Sequence, residues 1–139
     1  MNYSAAISAC EKGKEPERAL KLLGEMRERG LKPDEISYSA AISACEKGRQ
    51  SARALELLGK MRERDLKPNE ISYNAAISAC EKGHEPDRAL ELLGEMRKWG
   101  LKPDEISYSA AISACEKGKK PERALELLGE MRELSLIHI

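Results

Sequence analysis

The sequence predicts an all-α protein, a right-handed α-solenoid of stacked antiparallel helix pairs. A segment that reads Tyr-(Ser/Asn)-Ala-Ala-Ile-Ser-Ala-Cys-Glu-Lys-Gly recurs every 35 residues, from Tyr3, Tyr38, Tyr73 and Tyr108. A fixed period of this size is typical of units that bury their apolar faces only by stacking on one another. Within each period, apolar residues follow helical spacing twice. The chain is 41% hydrophobic and has no Phe, so its core is predicted to be aliphatic.

The clearest unit lies between Asp34 and Asn69. Asp34 follows a proline and is predicted to N-cap a helix over about residues 35–47. One apolar face of that helix is formed by Tyr38, Ala41, Ile42 and Cys45. Gly48 is predicted to supply the left-handed residue that ends it. A second helix is predicted over about residues 51–64, with its own apolar face.

The second helices have recurring boundary residues. Prolines stand where a first-turn proline belongs in three units, at Pro16, Pro86 and Pro121. Gly30 and Gly100 are predicted to end second helices, and Asp65 at the same position predicts a weaker C-cap. A further glycine recurs inside the second helix, at Gly24, Gly59, Gly94 and Gly129. Close backbone approach to a neighbour and an unoptimised repeat both explain it, and the sequence leaves the two open.

The period divides the chain into units 1–34, 35–69, 70–104 and 105–133, followed by a tail, 134–139. The first unit starts inside its first helix. The pattern departs at Leu134, and neither end has the polar outer face that caps a solenoid. We interpret the chain as a slice of a longer array, or as a truncated reading frame with a foreign tail.

Charge and hydropathy exclude several classes of protein. The chain has 24 Lys and Arg and 24 Asp and Glu, a net charge of zero, which argues against binding nucleic acid by bulk charge alone. No apolar run approaches the roughly 20 residues of a membrane span, and no membrane or DNA partner is expected. The N-terminus has no features of a targeting segment. The protein is therefore cytosolic, or the region that addresses it lies outside this chain; we favour the second.

The unit resembles the P-type pentatricopeptide repeat. The resemblance rests on the 35-residue period, Tyr-Ser/Asn near the start, Ala-Leu-Glu-Leu-Leu-Gly-Glu-Met in the second helix and Lys-Pro-Asp/Asn at the end, and it covers about residues 1–133. The nearest rival, the tetratricopeptide repeat, has a period of about 34 residues, and its Trp/Leu-Gly/Tyr pattern is missing here. Trp99 occurs once and is predicted to be a surface residue.

The resemblance implies single-stranded RNA binding, one nucleotide per repeat, mostly in mitochondria and plastids. Two side chains per repeat would choose the base, one directly after the Tyr and one directly after the linking Pro. The pairs would be Ser4 with Asp34, Ser39 with Asn69, and Asn74 with Asp104; Ser109 has its second partner at Ile139, where the pattern has failed. Asp accepts from the imino N–H of G or U, and Asn donates to A or C. The family's pairing of Ser with purines and Asn with pyrimidines then gives 5′-GAUN-3′.

The resemblance implies two further files of residues, each with one member at the same position of every repeat. Aliphatic side chains that sandwich each base would be Met1, Ile36, Ile71 and Ile106. Lysines that face the RNA phosphates would be Lys12, Lys47, Lys82 and Lys117. A lysine at the end of a helix also complements the helix dipole, and both roles remain open for this file.

Other recurring polar residues do not form a catalytic or metal set. Cys10, Cys45, Cys80 and Cys115 are predicted to be small buried hydrophobes in a reducing compartment, because one cysteine per repeat seeds neither a disulfide nor a zinc site. Glu11, Glu46, Glu81 and Glu116 are interpreted as solvated helix ends. His84 and His138 have no recurring partner. No metal or cofactor is expected, and the chain is predicted not to be an enzyme.

The leading hypothesis is a sequence-selective RNA-binding module in organellar RNA processing, stability or translation, which could guide an RNA-processing enzyme in trans. The alternative is a helical-repeat scaffold for protein–protein interaction, which the neutral charge permits. A third possibility is an RNA-processing enzyme whose catalytic domain lies outside this chain.

Overall fold

The computed structural model describes residues 2–137, which form eight α-helices and no strand. In chain order they are α1 (Tyr3–Lys12), α2 (Pro16–Glu28), α3 (Glu35–Lys47), α4 (Ser51–Glu63), α5 (Glu70–Lys82), α6 (Pro86–Lys98), α7 (Glu105–Lys117) and α8 (Pro121–Ile137). The predicted helix over residues 35–47 is confirmed as α3, and α4 ends one residue before its predicted end.

The helices pack in two layers, as an α-solenoid. The inner helices are α1, α3, α5 and α7, and each contacts its inner neighbours along the chain. The outer helices, α2, α4, α6 and α8, each contact their own inner helix, and α2, α4 and α6 also contact the inner helix that follows. Within residues 2–137, no Cα atoms of two outer helices come within 8 Å of each other. The inner layer is therefore the continuous one, and its solvent side is called the inner face below.

The core lies between the two layers. It is mainly aliphatic, but the predicted purely aliphatic core is wrong, because all four tyrosines of the chain are buried in it. The face of α3 predicted to be apolar is fully buried, since Tyr38, Ala41, Ile42 and Cys45 have no exposed surface. Leu58 and Met61 of α4 meet it from the outer layer and are equally buried. Because the same positions recur in every unit, one unit repeats the packing of the last.

The inner helices end differently from the prediction. Gly48 is not left-handed, with φ −86°, and the left-handed residue is Arg49, with φ 60°. The chain turns there in a Schellman arrangement, in which the N–H of Gln50 donates to the carbonyl of Cys45 at 2.7 Å. Gly48 is required for space instead, because a Cβ there would lie 2.6 Å from Cγ of Pro16 at the start of α2. The glycine lets one unit's outer helix approach the next unit's inner helix.

The outer helices end as predicted. Gly30 and Gly100 are left-handed, with φ 74° and 79°. Asp65 holds the same conformation at φ 58°, where a side chain is strained. The bonding is nevertheless kept, since the N–H of Leu66 donates to the carbonyl of Met61 at 2.9 Å.

The glycines inside the outer helices do not serve close packing. A Cβ built on Gly24, Gly59, Gly94 or Gly129 meets nothing within 4 Å. The structure therefore favours the unoptimised repeat over the close backbone approach.

At two of the three junctions between units, an arginine of the outer helix donates a hydrogen bond to the tyrosine of the next inner helix. Arg27 donates to the hydroxyl of Tyr38 at 2.5 Å, and Arg97 donates to that of Tyr108 at 2.6 Å. In the middle of the array Arg62 instead donates to Glu95, at 2.5 Å. The buried hydroxyl of Tyr73 then has no hydrogen-bond partner in the described chain. Burial raises the pKa of Tyr73, and the Glu95 carboxylate adds to the effect.

The departure from the repeat pattern does not end the last helix. α8 continues through Ile137, and Leu134 packs against the core. His138 and Ile139 lie outside the described residues. None of the helices between residues 2 and 137 combines the length and apolar character needed to cross a membrane.

We expect Gly59→Ala to stabilise the protein by about 1 kcal/mol, because alanine has the higher helix propensity and its methyl group meets no neighbour. Gly48→Ala is the matched control and should destabilise, because its Cβ would collide with Pro16. Urea denaturation of both variants measures the difference. A loss of stability in Gly59→Ala would contradict the open environment of this glycine.

We expect Tyr38→Phe to cost about 1.5 kcal/mol, because it removes a hydrogen bond from a guanidinium. Tyr73→Phe removes a buried hydroxyl that has no partner and should not lower stability, because an unsatisfied buried hydroxyl is itself destabilising. Equal losses for the two variants, measured by urea denaturation, would show that Tyr73 is hydrogen-bonded after all.

Candidate nucleic-acid interface

The residues that follow the linking prolines are the N-caps of the inner helices. Asp34, Asn69 and Asp104 have extended backbones directly before α3, α5 and α7. The Oδ1 atom of each accepts from the backbone N–H three residues later, at 2.9, 2.9 and 3.0 Å. This bond satisfies one of the free N–H groups at a helix start. The cap thereby fixes the orientation of each side chain at the start of its inner helix.

Capping also fixes what each of these side chains offers to a ligand. In Asp34, Oδ1 accepts from both the N–H and the hydroxyl of Ser37, which leaves Oδ2 as a free acceptor. In Asn69, the N–H of Ser72 needs an acceptor, so Oδ1 faces the helix and Nδ2 is left as a free donor. Asp34 and Asp104 therefore offer an acceptor, whereas Asn69 offers a donor.

The predicted base-reading partners lie together across neighbouring inner helices. The Ser39 hydroxyl donates to Oδ1 of Asn69 at 3.3 Å, and Nδ2 of Asn74 donates to Oδ1 of Asp104 at 3.4 Å. Ser4 makes no direct hydrogen bond to Asp34. The hydroxyl oxygen of Ser4 lies 3.2 Å from that of Ser37, and the Ser37 hydroxyl donates to Asp34. Ser39 is buried and Ser109 is exposed. The structure therefore brings two pairs into direct contact and the first into indirect contact.

The predicted sandwiching residues are uncovered. Ile36, Ile71 and Ile106 are 62%, 63% and 61% exposed, at the second residue of α3, α5 and α7. An aliphatic side chain so exposed at the same position of successive helices contributes nothing to the core. Met1, the fourth residue of this file, lies outside the described residues.

The predicted phosphate-facing lysines are in ion pairs. Lys47 pairs with Glu11, Lys82 with Glu46 and Lys117 with Glu81, each lysine meeting the glutamate of the preceding inner helix. Among residues 2–137, Lys12 makes no ion pair. Glu11, Glu46 and Glu81 are thus not solvated helix ends, as the sequence had suggested, because each spans two units.

A groove lies on the inner face between two neighbouring inner helices. It has a volume of about 440 Å³ between α5 and α7, and is lined by Ser78, Glu81, Glu105, Ile106, Ser109, Ala110 and Ser113. One predicted sandwiching residue, one predicted base-reading residue and one ion-paired glutamate share its wall. Most of its other lining side chains are short, which leaves room for a flat ligand.

Comparison with known sequences decides the family. The sequence model of the PPR repeat family matches residues 1–47 and 69–117. The chain belongs to the pentatricopeptide repeat family. A pentatricopeptide repeat domain model matches residues 42–83 and a PPR repeat model residues 106–136. No curated protein sequence matches the chain.

Solved structures of pentatricopeptide repeat proteins share the fold. PPR10 in complex with an 18-nt psaJ RNA element has a TM-score of 0.77 at 24% identity, over 96% of this chain. PPR10 from maize has a TM-score of 0.75 at 25% identity, over 97% of this chain. The PPR domain of Arabidopsis thaliana protein-only RNase P 1, in complex with tRNA, has a TM-score of 0.82 at 17% identity, over 96% of this chain and 70% of its own. The chain spans about one fifth of PPR10, 20% and 19% in the two structures.

The cysteines are buried in the repeat core, as predicted. Cys10, Cys45, Cys80 and Cys115 are all free and buried. Burial raises the pKa of Cys45 to about 11 and that of Cys80 to about 12, so both stay protonated and unreactive at neutral pH. Residues 2–137 contain no group of three or more side chains that could hold a metal ion. His84 is an exposed, left-handed turn residue, with φ 57°.

Sequence reasoning missed the serines at the third position of the inner helices. Ser37, Ser72 and Ser107 are fully buried, and all three bond to a cap. The Oγ atom of Ser107 also lies 2.5 Å from Oδ1 of Asn74, so its one hydroxyl proton can be directed to either Asn74 or Asp104. The signal was present, because a polar residue three positions after an N-cap is the pattern of a capping box. Ser37 and Ser107 thereby link the predicted reading residue of one unit to the cap of the next.

We expect acid to weaken the caps formed by aspartate. The N–H of Ser37 lowers the pKa of Asp34; burial raises that of Asp104, but hydrogen bonds from Ser107 outweigh it, so its pKa is also lowered. A lowered pKa in the folded state stabilises the protein above the unfolded value of about 3.9, and this is lost as pH falls through the folded value.

The variant Asp34→Asn/Asp104→Asn tests this. Asn caps about as well as Asp, so stability at pH 7 should be nearly unchanged. Between about pH 5 and pH 2 the variant should lose less thermal stability than wild type. Parallel curves of melting temperature against pH would contradict the contribution of the two carboxylates.

Proposed function

We propose that the chain is a sequence-selective single-stranded RNA-binding module with no catalysis of its own, which binds about one nucleotide per repeat. Membership of the pentatricopeptide repeat family and the fold shared with PPR10, solved in complex with an RNA element, support this. The observation that carries the proposal is that each capping side chain at the start of an inner helix keeps one heteroatom free. Units 1–34, 35–69, 70–104 and 105–133 are the proposed repeats, and residues 134–139 lie beyond them.

The free heteroatoms support the base assignments. Oδ2 of Asp34 and of Asp104 can accept from the N–H of guanine or uracil, and Nδ2 of Asn69 can donate to the bare ring nitrogen of adenine. Ser4 and Ser39 complete the two purine sites, Asn74 completes the uracil site, and Ser109 faces an unassigned base. The proposed target is 5′-GAUN-3′.

Stacking and charge complete the proposed site. The exposed aliphatic side chains of Ile36, Ile71 and Ile106 would lie against the faces of the bases, with Met1 in that place in the first unit. They serve any base and therefore contribute affinity. Lys12, Lys47, Lys82 and Lys117 are the proposed phosphate contacts.

The proposed role follows from occupancy of an RNA segment. A bound strand is protected from nucleases, is kept from folding, and is presented to an RNA-processing enzyme in trans. By family we place this activity in mitochondria or plastids.

We expect the wild-type protein to bind an RNA that contains GAU about tenfold more tightly than one that contains GGU. The reason is that guanine presents an N–H donor to the Nδ2 donor of Asn69. Two donors cannot bond to each other, so both groups are left unpaired. Asn69→Asp should reverse the preference, because aspartate keeps the cap and exchanges the donor for an acceptor. Fluorescence anisotropy with labelled RNAs measures both.

Asp65→Asn is the matched control, an exchange of the same two residue types at the end of α4 and away from the inner face. It should leave the preference for GAU unchanged. Equal binding of both RNAs by wild type and by Asn69→Asp would overturn the base assignment. Absence of RNA binding by all the proteins would overturn the proposed function.

A further inference from the structure

Three of the four glutamates beside a proposed phosphate contact reach the lysine of the next unit. The pairs Glu11–Lys47, Glu46–Lys82 and Glu81–Lys117 join residues 36 positions apart, and together they form the glutamate–lysine ladder. Lys82 also donates to the backbone carbonyl of Glu46, at 3.4 Å. The same contact therefore recurs at every junction between inner helices that the described chain contains.

The ladder lies on the surface that would bind RNA. Glu81 lines the groove between α5 and α7 together with Ile106 and Ser109. Its carboxylate is partly withdrawn from solvent, as is that of Glu46, since their side chains are 18% and 14% exposed. A partly desolvated pair is screened less by salt than a pair on the open surface.

The energetics of the single helix do not explain the glutamates. Glu46 and Glu81 are the second-last residues of α3 and α5, where the negative end of the helix dipole disfavours an anion. A lysine in the last turn is favoured there, but a glutamate is not. The positive charge of the lysine in the following unit compensates for the unfavourable interaction between the glutamate and the helix dipole.

We propose that Glu11, Glu46 and Glu81 compete with RNA phosphates for the ammonium groups of Lys47, Lys82 and Lys117. The inference rests on the proposed RNA-binding function. A phosphate that approaches one of these lysines meets an ammonium group whose charge is already balanced by a carboxylate, and that carboxylate repels the strand. The phosphate backbone therefore contributes little net affinity, and contacts to the bases decide whether a strand is held.

The triple variant Glu11→Gln/Glu46→Gln/Glu81→Gln tests the competition. Glutamine keeps the shape and a hydrogen-bond acceptor, and removes the charge. At low salt we expect the GAU-containing RNA to bind about threefold more tightly per freed lysine, the effect of losing one partly exposed ion pair. The slope of log affinity against log salt should steepen by up to about 0.7 per freed lysine. The ratio of GAU to GGU affinity should be unchanged, because the reading residues are intact.

The matched control is Glu56→Gln/Glu91→Gln/Glu126→Gln, which removes the same three charges from exposed positions of α4, α6 and α8. Its affinity and salt slope should stay close to those of wild type. In a Lys47→Gln/Lys82→Gln/Lys117→Gln background, the ladder substitutions should have no more effect than the control, because their partners are gone. Circular dichroism and urea denaturation confirm that each variant is folded.

The outcomes separate this inference from the proposed function. Tighter binding and a steeper salt slope in the ladder variant alone support the competition. Equal gains in the ladder and control variants would overturn it and show a long-range effect of net charge, with RNA binding retained. An unchanged ladder variant beside a wild type that binds RNA would also overturn it. Failure of every variant to bind RNA would overturn the proposed function and the competition with it.

Discussion

A single hydrogen bond at the start of each complete inner helix determines where the proposed reading residues lie. The side chain of Asp34, Asn69 or Asp104 accepts from the N–H three residues later, and this bond sets both the first residue of the helix and the orientation of the capping group. The residue proposed to read a base is thus also the residue that starts a helix. Its identity can change without a loss of stability only among good N-caps, so Asp and Asn are natural alternatives at this position.

The helices and the apolar core could be predicted because they depend on short-range periodicity. The spacing of Tyr38, Ile42 and Cys45 indicates one buried face, and that face is buried. The boundaries of α3 follow from its cap and from the turn after Lys47. These properties depend on residues that are close in the sequence, and the same pattern of residues recurs in every repeat.

Features that depend on the stacking of units could not be predicted in the same way. Glycine is needed at position 48 because a Cβ there would collide with Pro16 of the preceding unit, and this proline comes close only when the two units pack. The glutamate–lysine ladder joins residues 36 positions apart, and no helical period within one unit reveals it. The different environments of Tyr38 and Tyr73 depend in the same way on where Arg27 and Arg62 find their partners. The role of the site residues remains a prediction, because it concerns a ligand.

The two layers of the array differ in what holds them together. Inner helices pack directly on one another, whereas the outer helices are bridged by long side chains, as in the pairs Arg62–Glu95 and Arg97–Glu130. Ion pairs between long, partly exposed side chains contribute little stability and adapt to changes in distance. We therefore expect the array to be mechanically anisotropic: a motion that spreads the outer helices is soft, and one that separates the inner helices is stiff. A solenoid with this compliance can adjust its pitch while each inner junction keeps its geometry.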